Sequence, residues 1–133
     1  MSIHTEKIEK NLHLVTVSGP LNEHQFENIT GTFAAMEKQG IEQVIVSLKE
    51  TSFIDSRGLA ALITGYKTFG RMPQNFRLAE LSSQPRLVFD LTGFDQIFEI
   101  YDTVAEAIKP EAEFVLDLRQ PAAIPVQLDA MVM

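Results

Sequence analysis

The chain of 133 residues contains no cysteine. It can therefore form no disulfide framework, thiol nucleophile or thiolate metal site, and nothing in it marks an oxidising compartment. No stretch approaches the roughly 20 apolar residues that span a bilayer. The N-terminus also lacks the basic start and apolar run of a signal peptide. We therefore expect a cytoplasmic protein without a membrane segment, and the length predicts one domain.

Positive charge is scarce. The sequence has 11 lysines and arginines against 18 aspartates and glutamates, which gives a formal net charge of −7 at pH 7. This charge repels phosphate backbones, and no basic cluster with interleaved aromatic residues offsets it. The glycine-rich phosphate loops Gly-x-x-x-x-Gly-Lys-Ser/Thr and Gly-x-Gly-x-x-Gly are absent as well. We expect neither nucleic acid as a partner nor a bound nucleotide or other cofactor.

Histidine is also rare: His4, His13 and His24 all lie in the N-terminal quarter. We expect His4 and His13 as cross-strand neighbours, and His24 at the head of a helix. Without supporting carboxylate spacing, such histidines are more often surface residues than metal ligands. The Gly-x-Ser-x-Gly elbow of hydrolases is missing, because Ile54 occupies the first glycine position of the only comparable segment. We therefore predict a protein that is not an enzyme and holds no metal.

The most informative residues form the segment 51–59, in which one serine follows a buried strand and precedes a helix. The run 44–48 is apolar with almost no alternation, as in a central strand covered on both faces. Apolar side chains then recur at intervals of three and four residues, which is one face of a helix. The residues on that face are Leu59, Leu62, Ile63, Tyr66 and Phe69. Ser56 is therefore predicted at or beside the N-cap of this helix.

Ser56 has two interpretations at that place. Its oxygen can accept from the free N–H groups of the first helical turn, a structural role worth about 1 kcal/mol. The same N–H groups and the positive end of the helix dipole also favour a phosphate attached to the hydroxyl. Both interpretations predict a serine.

The rest of the chain predicts an α/β domain. Two strands surround a polar turn at residues 9–11, and a helix runs from about Glu23 to Gln39 with Gly40 as its stop. Residues 97–100 are typical of an edge strand. A short helix then follows, with Asp102 as its cap and an inward face that consists of Val104, Ala105 and Ile108. Strand, helix and strand in succession indicate a parallel core.

The segment Ile54-Asp55-Ser56-Arg57-Gly58-Leu59 resembles the phosphorylation segment of STAS domains, specifically of bacterial anti-sigma factor antagonists. The resemblance extends over roughly residues 2–108 and includes the order and spacing of the elements. Residues 76–79 and 85–94 are similar to the family's strand and its short helix with a Gly-aromatic turn. The resemblance implies the STAS fold: a mixed four- to five-stranded β-sheet with helices packed mainly on one face.

The resemblance also implies a function. An unphosphorylated antagonist binds an anti-sigma factor that is also its GHKL-type serine kinase, phosphorylation breaks the complex, and a metal-dependent serine phosphatase resets it. Ser56 would be the phosphoacceptor, and this chain would be a substrate and ligand. The alternative is a non-catalytic STAS scaffold, or an accessory module of a signalling complex or transporter.

The neighbours of Ser56 are expected to bind the partner, and each also has a structural interpretation. Asp55 supports the serine or bonds the backbone of its own turn. Arg57 is expected to be exposed, either as part of the interface or as a solvated charge. Gly58 either admits a kinase or lets the helix pack closely on the sheet. A second group, Asn22, Glu23 and His24, lies where the family's partner surface runs.

The domain is expected to span residues 1–109. The extension 110–133 is longer than a STAS domain requires, and its apolar patches are unusual for a disordered tail. We expect it to pack on its own domain or on a second copy of the chain. The sequence leaves open whether the protein is a homodimer.

Overall fold

The computed structural model describes residues 2–108. The extension 110–133 lies outside the described residues, and its packing stays a prediction. Seven strands and four α-helices form the described part of the chain. The strands are β1 (Ser2–Glu9), β2 (Leu12–Ser18), β3 (Pro20–Leu21), β4 (Gln43–Ser47), β5 (Phe53–Ile54), β6 (Phe76–Ala79) and β7 (Glu99–Tyr101). The helices are α1 (Phe26–Lys38), α2 (Ser56–Phe69), α3 (Ser83–Thr92) and α4 (Val104–Ile108).

Five of these strands form one mixed sheet in the order β1-β2-β4-β6-β7. β1 and β2 are antiparallel, whereas β4, β6 and β7 each run parallel to the strand before them in the sheet. The buried strand predicted from the apolar run is β4, at the centre of the order. The predicted mixed sheet and its parallel core are confirmed.

The main core lies between the sheet and the helices α1, α2 and α3. Because side chains alternate along a strand, Val44 and Val46 face these helices while Ile45 faces the other side. The fully buried aromatic residues of this core come from α1, β6 and α3: Phe33, Phe76 and Phe89. On the opposite face, α4 covers a smaller cluster through Ala107. The helices therefore pack mainly on one face, as predicted.

Helix α1 is shorter than its predicted range. Residues Glu23–Gln25 form a 3₁₀ turn that Asn22 caps, and the α-helix proper begins at Phe26. The predicted stop is confirmed, since Gly40 has a φ of 85°, which glycine adopts without a steric penalty.

The predicted cap of α4 and one residue of its predicted inward face are wrong. Helix α4 is capped by Thr103, whose hydroxyl accepts from the N–H of Glu106 at 3.0 Å, and not by Asp102. Of the three residues predicted on its inward face, Val104 and Ile108 pack against the smaller cluster, whereas Ala105 is exposed. The buried residue of this helix is Ala107. The cap lies one residue later than predicted, and Ala107 takes the place of Ala105 on the inward face because residues 104, 107 and 108 follow the helical spacing of three and four.

The histidines of the β1–β2 hairpin are also not neighbours. His4 lies opposite Thr16, and His13 lies opposite Lys7. The side chain of His4 lies on the same face as its partner Thr16, and His13 is three residues from Thr16 along β2. Because side chains alternate along a strand, those of His4 and His13 leave opposite faces of the sheet. A shared metal site between them is therefore ruled out by the register.

Candidate functional site

Ser56 is the first residue of α2, and its side chain is exposed. The N-cap is Asp55, whose Oδ1 accepts from the N–H of Gly58 at 2.9 Å. The predicted place of Ser56 beside the cap is therefore confirmed, as is the bond of Asp55 to its own turn. The capping function is already supplied by Asp55, so the Ser56 hydroxyl is not needed to begin the helix.

Gly58 lies where α2 approaches the backbone of β3. A Cβ atom at this position would lie 2.1 Å from the carbonyl oxygen of Leu21 and 2.9 Å from Cγ1 of Ile54. Real Cβ atoms do not come so close, and the nearest neighbour is backbone, which moves only at a cost. Of its two interpretations, the close-packing one is directly visible in the structure. This close contact of Gly58 sets the distance between β3 and the first turn of α2, which contains Ser56.

The two short strands β3 and β5 hold the residues just before Ser56. They pair in parallel as a separate two-stranded sheet, in which Leu21 pairs with Ile54. Sequence analysis missed them, because two residues are too few to show a strand period. The N–H of Asp55 donates to the Leu21 carbonyl at 3.3 Å and extends this support to the helix cap.

The start of α3 supports the same segment from the other side. The N–H of Ile54 donates to Oε1 of Gln84 at 2.8 Å, and Nε2 of Gln84 donates back to the Ile54 carbonyl at 3.2 Å. The Ser82 hydroxyl bonds to the Thr51 carbonyl, and the buried Thr51 hydroxyl donates to the Val17 carbonyl at 2.8 Å. Ser56 therefore projects from a segment that is bonded on both sides.

The structure brings the two predicted groups of partner-binding residues to the same end of the sheet. The 3₁₀ turn that contains Glu23 and His24 contacts α2. Arg57 connects the groups, because its guanidinium carbon lies 4.1 Å from the centroid of the Phe26 ring. Arg57 is exposed as predicted, but it is a cation–π partner of α1 rather than a freely solvated charge. The aromatic residue that holds it was not singled out in the sequence.

The functional group that Ser56 offers is an accessible hydroxyl. Within residues 2–108 its oxygen makes no hydrogen bond, and no histidine is paired with it. The N–H groups of Ser56 and Arg57 lie in the first turn, where helices have no internal acceptors. Asp55 engages only the N–H of Gly58. A phosphate on Ser56 would therefore meet free donors and the positive end of the helix dipole.

The described residues contain no group of three or more histidines, aspartates and glutamates that could hold a metal ion. No helix between residues 2 and 108 is long and apolar enough to cross a membrane.

A mixed five-stranded sheet with three helices on one face, and a helix that begins with an exposed serine after the central strand, is an α/β arrangement of the STAS type. The family model of the STAS domain matches residues 3–107, and the chain belongs to this family. The extension lies outside the matched range.

Relatives and solved structures agree with this assignment. The chain is 25% identical over 96 residues to the anti-sigma F factor antagonist of Paenibacillus polymyxa, which covers 71% of this chain and 82% of the relative. An anti-sigma factor antagonist of Mycobacterium paratuberculosis superimposes with a TM-score of 0.71 at 23% identity, over 82% of this chain and 93% of the other. The phosphorylated form of the Bacillus cell fate determinant SpoIIAA gives a TM-score of 0.65 at 22% identity, over 82% and 98%. At these identities the structures support the fold.

Proposed function

We propose that this protein is an anti-sigma factor antagonist that acts by partner switching, with Ser56 as the phosphoacceptor. In this mechanism the unphosphorylated chain binds an anti-sigma factor that is also a GHKL-type serine kinase. Phosphorylation of Ser56 releases that partner, and a metal-dependent serine phosphatase restores the unmodified form. The chain itself catalyses no reaction, and it acts in the cytoplasm.

The observation that carries the proposal is the exposed Ser56, which has an unused hydroxyl on a rigid segment. A kinase needs an accessible hydroxyl without a hydrogen-bond partner, whereas a serine that caps a helix uses its side-chain oxygen to accept from a backbone N–H. The roles of the curated relatives support the same function, since they are anti-sigma factor antagonists that match this chain over most of their length.

The charge of the phosphate explains why release would follow without unfolding. Phosphorylation adds about −1.5 to −2 charges at neutral pH. The folded domain tolerates this charge, because free N–H groups of the first turn of α2 face it. A partner that covers Ser56 would instead have to desolvate it, which costs several kcal/mol where the charge is left unpaired. Each 1.4 kcal/mol of lost binding free energy weakens affinity about tenfold.

The test is a set of pull-downs from a lysate of the source organism, with bound proteins identified by mass spectrometry. The baits carry Ser56→Ala or Ser56→Asp. A matched control carries Ser83→Asp, since Ser83 is likewise exposed and is the first residue of α3. We expect a GHKL-type kinase on the alanine and control baits and none on the Ser56→Asp bait. That kinase should transfer one phosphoryl group from ATP to the wild-type chain and none to Ser56→Ala.

Identical proteins on all three baits would contradict the proposal, because the charge at Ser56 would then not control the interface. The scaffold or accessory function would become the better explanation.

A further inference from the structure

The second face of the sheet contains a buried charge. Arg77 of β6 is only 4% exposed. Its guanidinium donates three hydrogen bonds: Nε to the Gln74 carbonyl at 2.7 Å, Nη1 to the Ala107 carbonyl at 2.6 Å, and Nη2 to Oε1 of Gln43 at 2.7 Å. All three acceptors are neutral, so the positive charge has no direct counter-ion among them.

No carboxylate in residues 2–108 forms an ion pair with Arg77. Its neighbour in the β6–β7 register is Glu99, which forms no ion pair with it and whose Oε1 accepts from the Tyr101 hydroxyl at 2.9 Å. An arginine has five N–H donors, and two of those of Arg77 have no acceptor in this part of the chain. Buried charges in proteins are normally paired, because an unpaired one is costly. A carboxylate from elsewhere is therefore expected near Arg77.

Helix α4 leads the chain to this place. It contacts β7, β6 and β4, and the carbonyl of Ala107 in its last turn accepts from Arg77. The next residue, Ile108, packs against the small cluster that contains Leu12, and Ile8 and Leu14 border the same cluster. The chain thus leaves the described residues beside Arg77 and next to the side chains of β1 and β2 on this face. Within residues 2–108, the main contacts of α4 on this face are with β4, β6 and β7 rather than with β1 and β2.

The sequence that follows supplies both carboxylates and apolar residues. Glu111 and Glu113 are four and six residues beyond Ala107. After them, Phe114, Leu116 and Leu118 recur at every second position, while the positions between them contain Asp117 and Arg119 but also the apolar Val115.

We propose that residues 111–118 dock on the face of the sheet that α4 occupies, in their own molecule. A carboxylate of Glu111 or Glu113 pairs with Arg77, and Phe114 and Leu116 cover Ile8 and Leu14. This surface lies across the sheet from α2, so docking there leaves Ser56 accessible.

The length of the connection favours the same molecule over a second copy. Six residues lead from Ile108 to Phe114, and six extended residues span up to about 20 Å. Neighbouring strands are about 4.8 Å apart, so β1 lies about 10 Å from β4 across this face. A short tether that spans its target gives an effective concentration in the millimolar range, which disfavours exchange with other molecules.

Paramagnetic relaxation in the full-length chain tests the docking, since the absence of cysteine allows a nitroxide to be placed at one chosen residue. The label is attached at Glu6→Cys, because Glu6 is exposed and pairs with Leu14 on the face in question. The control label is at Glu37→Cys on α1, which is exposed on the other side of the sheet. We expect the amide signals of residues 111–118 to lose most of their intensity with the first label and little with the second.

Equal loss of signal from both labels, or loss from neither, would overturn the proposal. A mixture of two kinds of chain gives a further check: one kind carries the nitroxide at natural isotopic abundance, and the other is ¹⁵N-enriched without a nitroxide. Loss of signal in this mixture would also overturn the proposal, because the contact would then be between two copies.

Substitutions in the extension identify the contacts without disturbing the described domain. We expect Phe114→Asp with Leu116→Asp to remove the relaxation effect and to speed amide exchange in residues 111–118 at least about tenfold, or about 1.4 kcal/mol of local stability. Glu111→Gln with Glu113→Gln should speed it by a similar factor, and the control Val132→Asp should leave it unchanged. Unchanged exchange in both double variants would overturn the proposed contacts.

Discussion

Gln84 bonds to both backbone groups of Ile54, two residues before Ser56. One side-chain amide accepts from the N–H and donates to the carbonyl of the same residue, at 2.8 and 3.2 Å. This is the pattern by which a neighbouring strand would satisfy Ile54. The start of α3 thereby takes the place of a strand beside the two-residue β5, and it fixes the segment from which Ser56 projects.

Replacement of Gln84 by methionine tests this role. The change preserves the approximate volume but leaves the N–H and carbonyl of Ile54 without their partner. An unsatisfied buried polar group costs about 1–3 kcal/mol. We expect the free energy of unfolding from urea titration to fall by that amount. The control is Gln96→Met at an exposed position, which should change it by less than about 0.5 kcal/mol; equal effects at both sites would contradict the role.

The structure assigns the helix cap to Asp55, and substitution separates it from Ser56. Asp55→Ala should lower the free energy of unfolding by about 1 kcal/mol, because the N–H of Gly58 loses its acceptor. Asp55→Asn should retain most of the stability, since its side-chain oxygen can still accept. Ser56→Ala should change it by less than about 0.5 kcal/mol. A Ser56→Ala loss equal to that of Asp55→Ala would show that the serine is a structural cap.

Two glycine-to-alanine substitutions measure the close approach of α2 to β3. At Gly58 the new Cβ would meet the Leu21 carbonyl oxygen at 2.1 Å, whereas at Gly31 in α1 it would meet nothing within 4 Å. Overpacking against backbone costs about 1–3 kcal/mol, so Gly58→Ala should lower the midpoint of thermal unfolding. Gly31→Ala should raise it, because alanine is favoured over glycine in a helix by about 1 kcal/mol. Two shifts of the same sign would argue against this packing.

Ser56→Asp should leave the fold intact while it changes the interface. A carboxylate in the first turn of a helix interacts favourably with the dipole, by about 0.3–1 kcal/mol. We therefore expect an unfolding free energy equal to or slightly above that of the wild type. Backbone chemical shifts should change only near residues 55–58 and around Phe26. A loss of more than about 1 kcal/mol would mean that charge at Ser56 acts by unfolding the site.

The elements with a clear pattern were predictable from the sequence. β4 has an uninterrupted apolar run and α2 a three- and four-residue repeat, so the position of Ser56 between them followed from their junction. The short elements were not predictable in the same way. β3 and β5 are two residues each, and in the short helix α4 the cap is Thr103 instead of Asp102 and Ala105 is exposed, although Val104 and Ile108 face inward as predicted.

The sequence by itself determined the composition of the site: a serine after a buried strand and before an amphipathic helix, with acidic, basic and small neighbours. Local periodicity is sufficient for this, because it reports which faces of a strand or helix are buried. Only the tertiary structure decided which residues from distant parts of the chain support that serine. Gln84 lies 30 residues from Ile54 in sequence, and Phe26 lies on another helix from Arg57. Such contacts depend on the order of strands in the sheet, which periodicity within one segment does not encode.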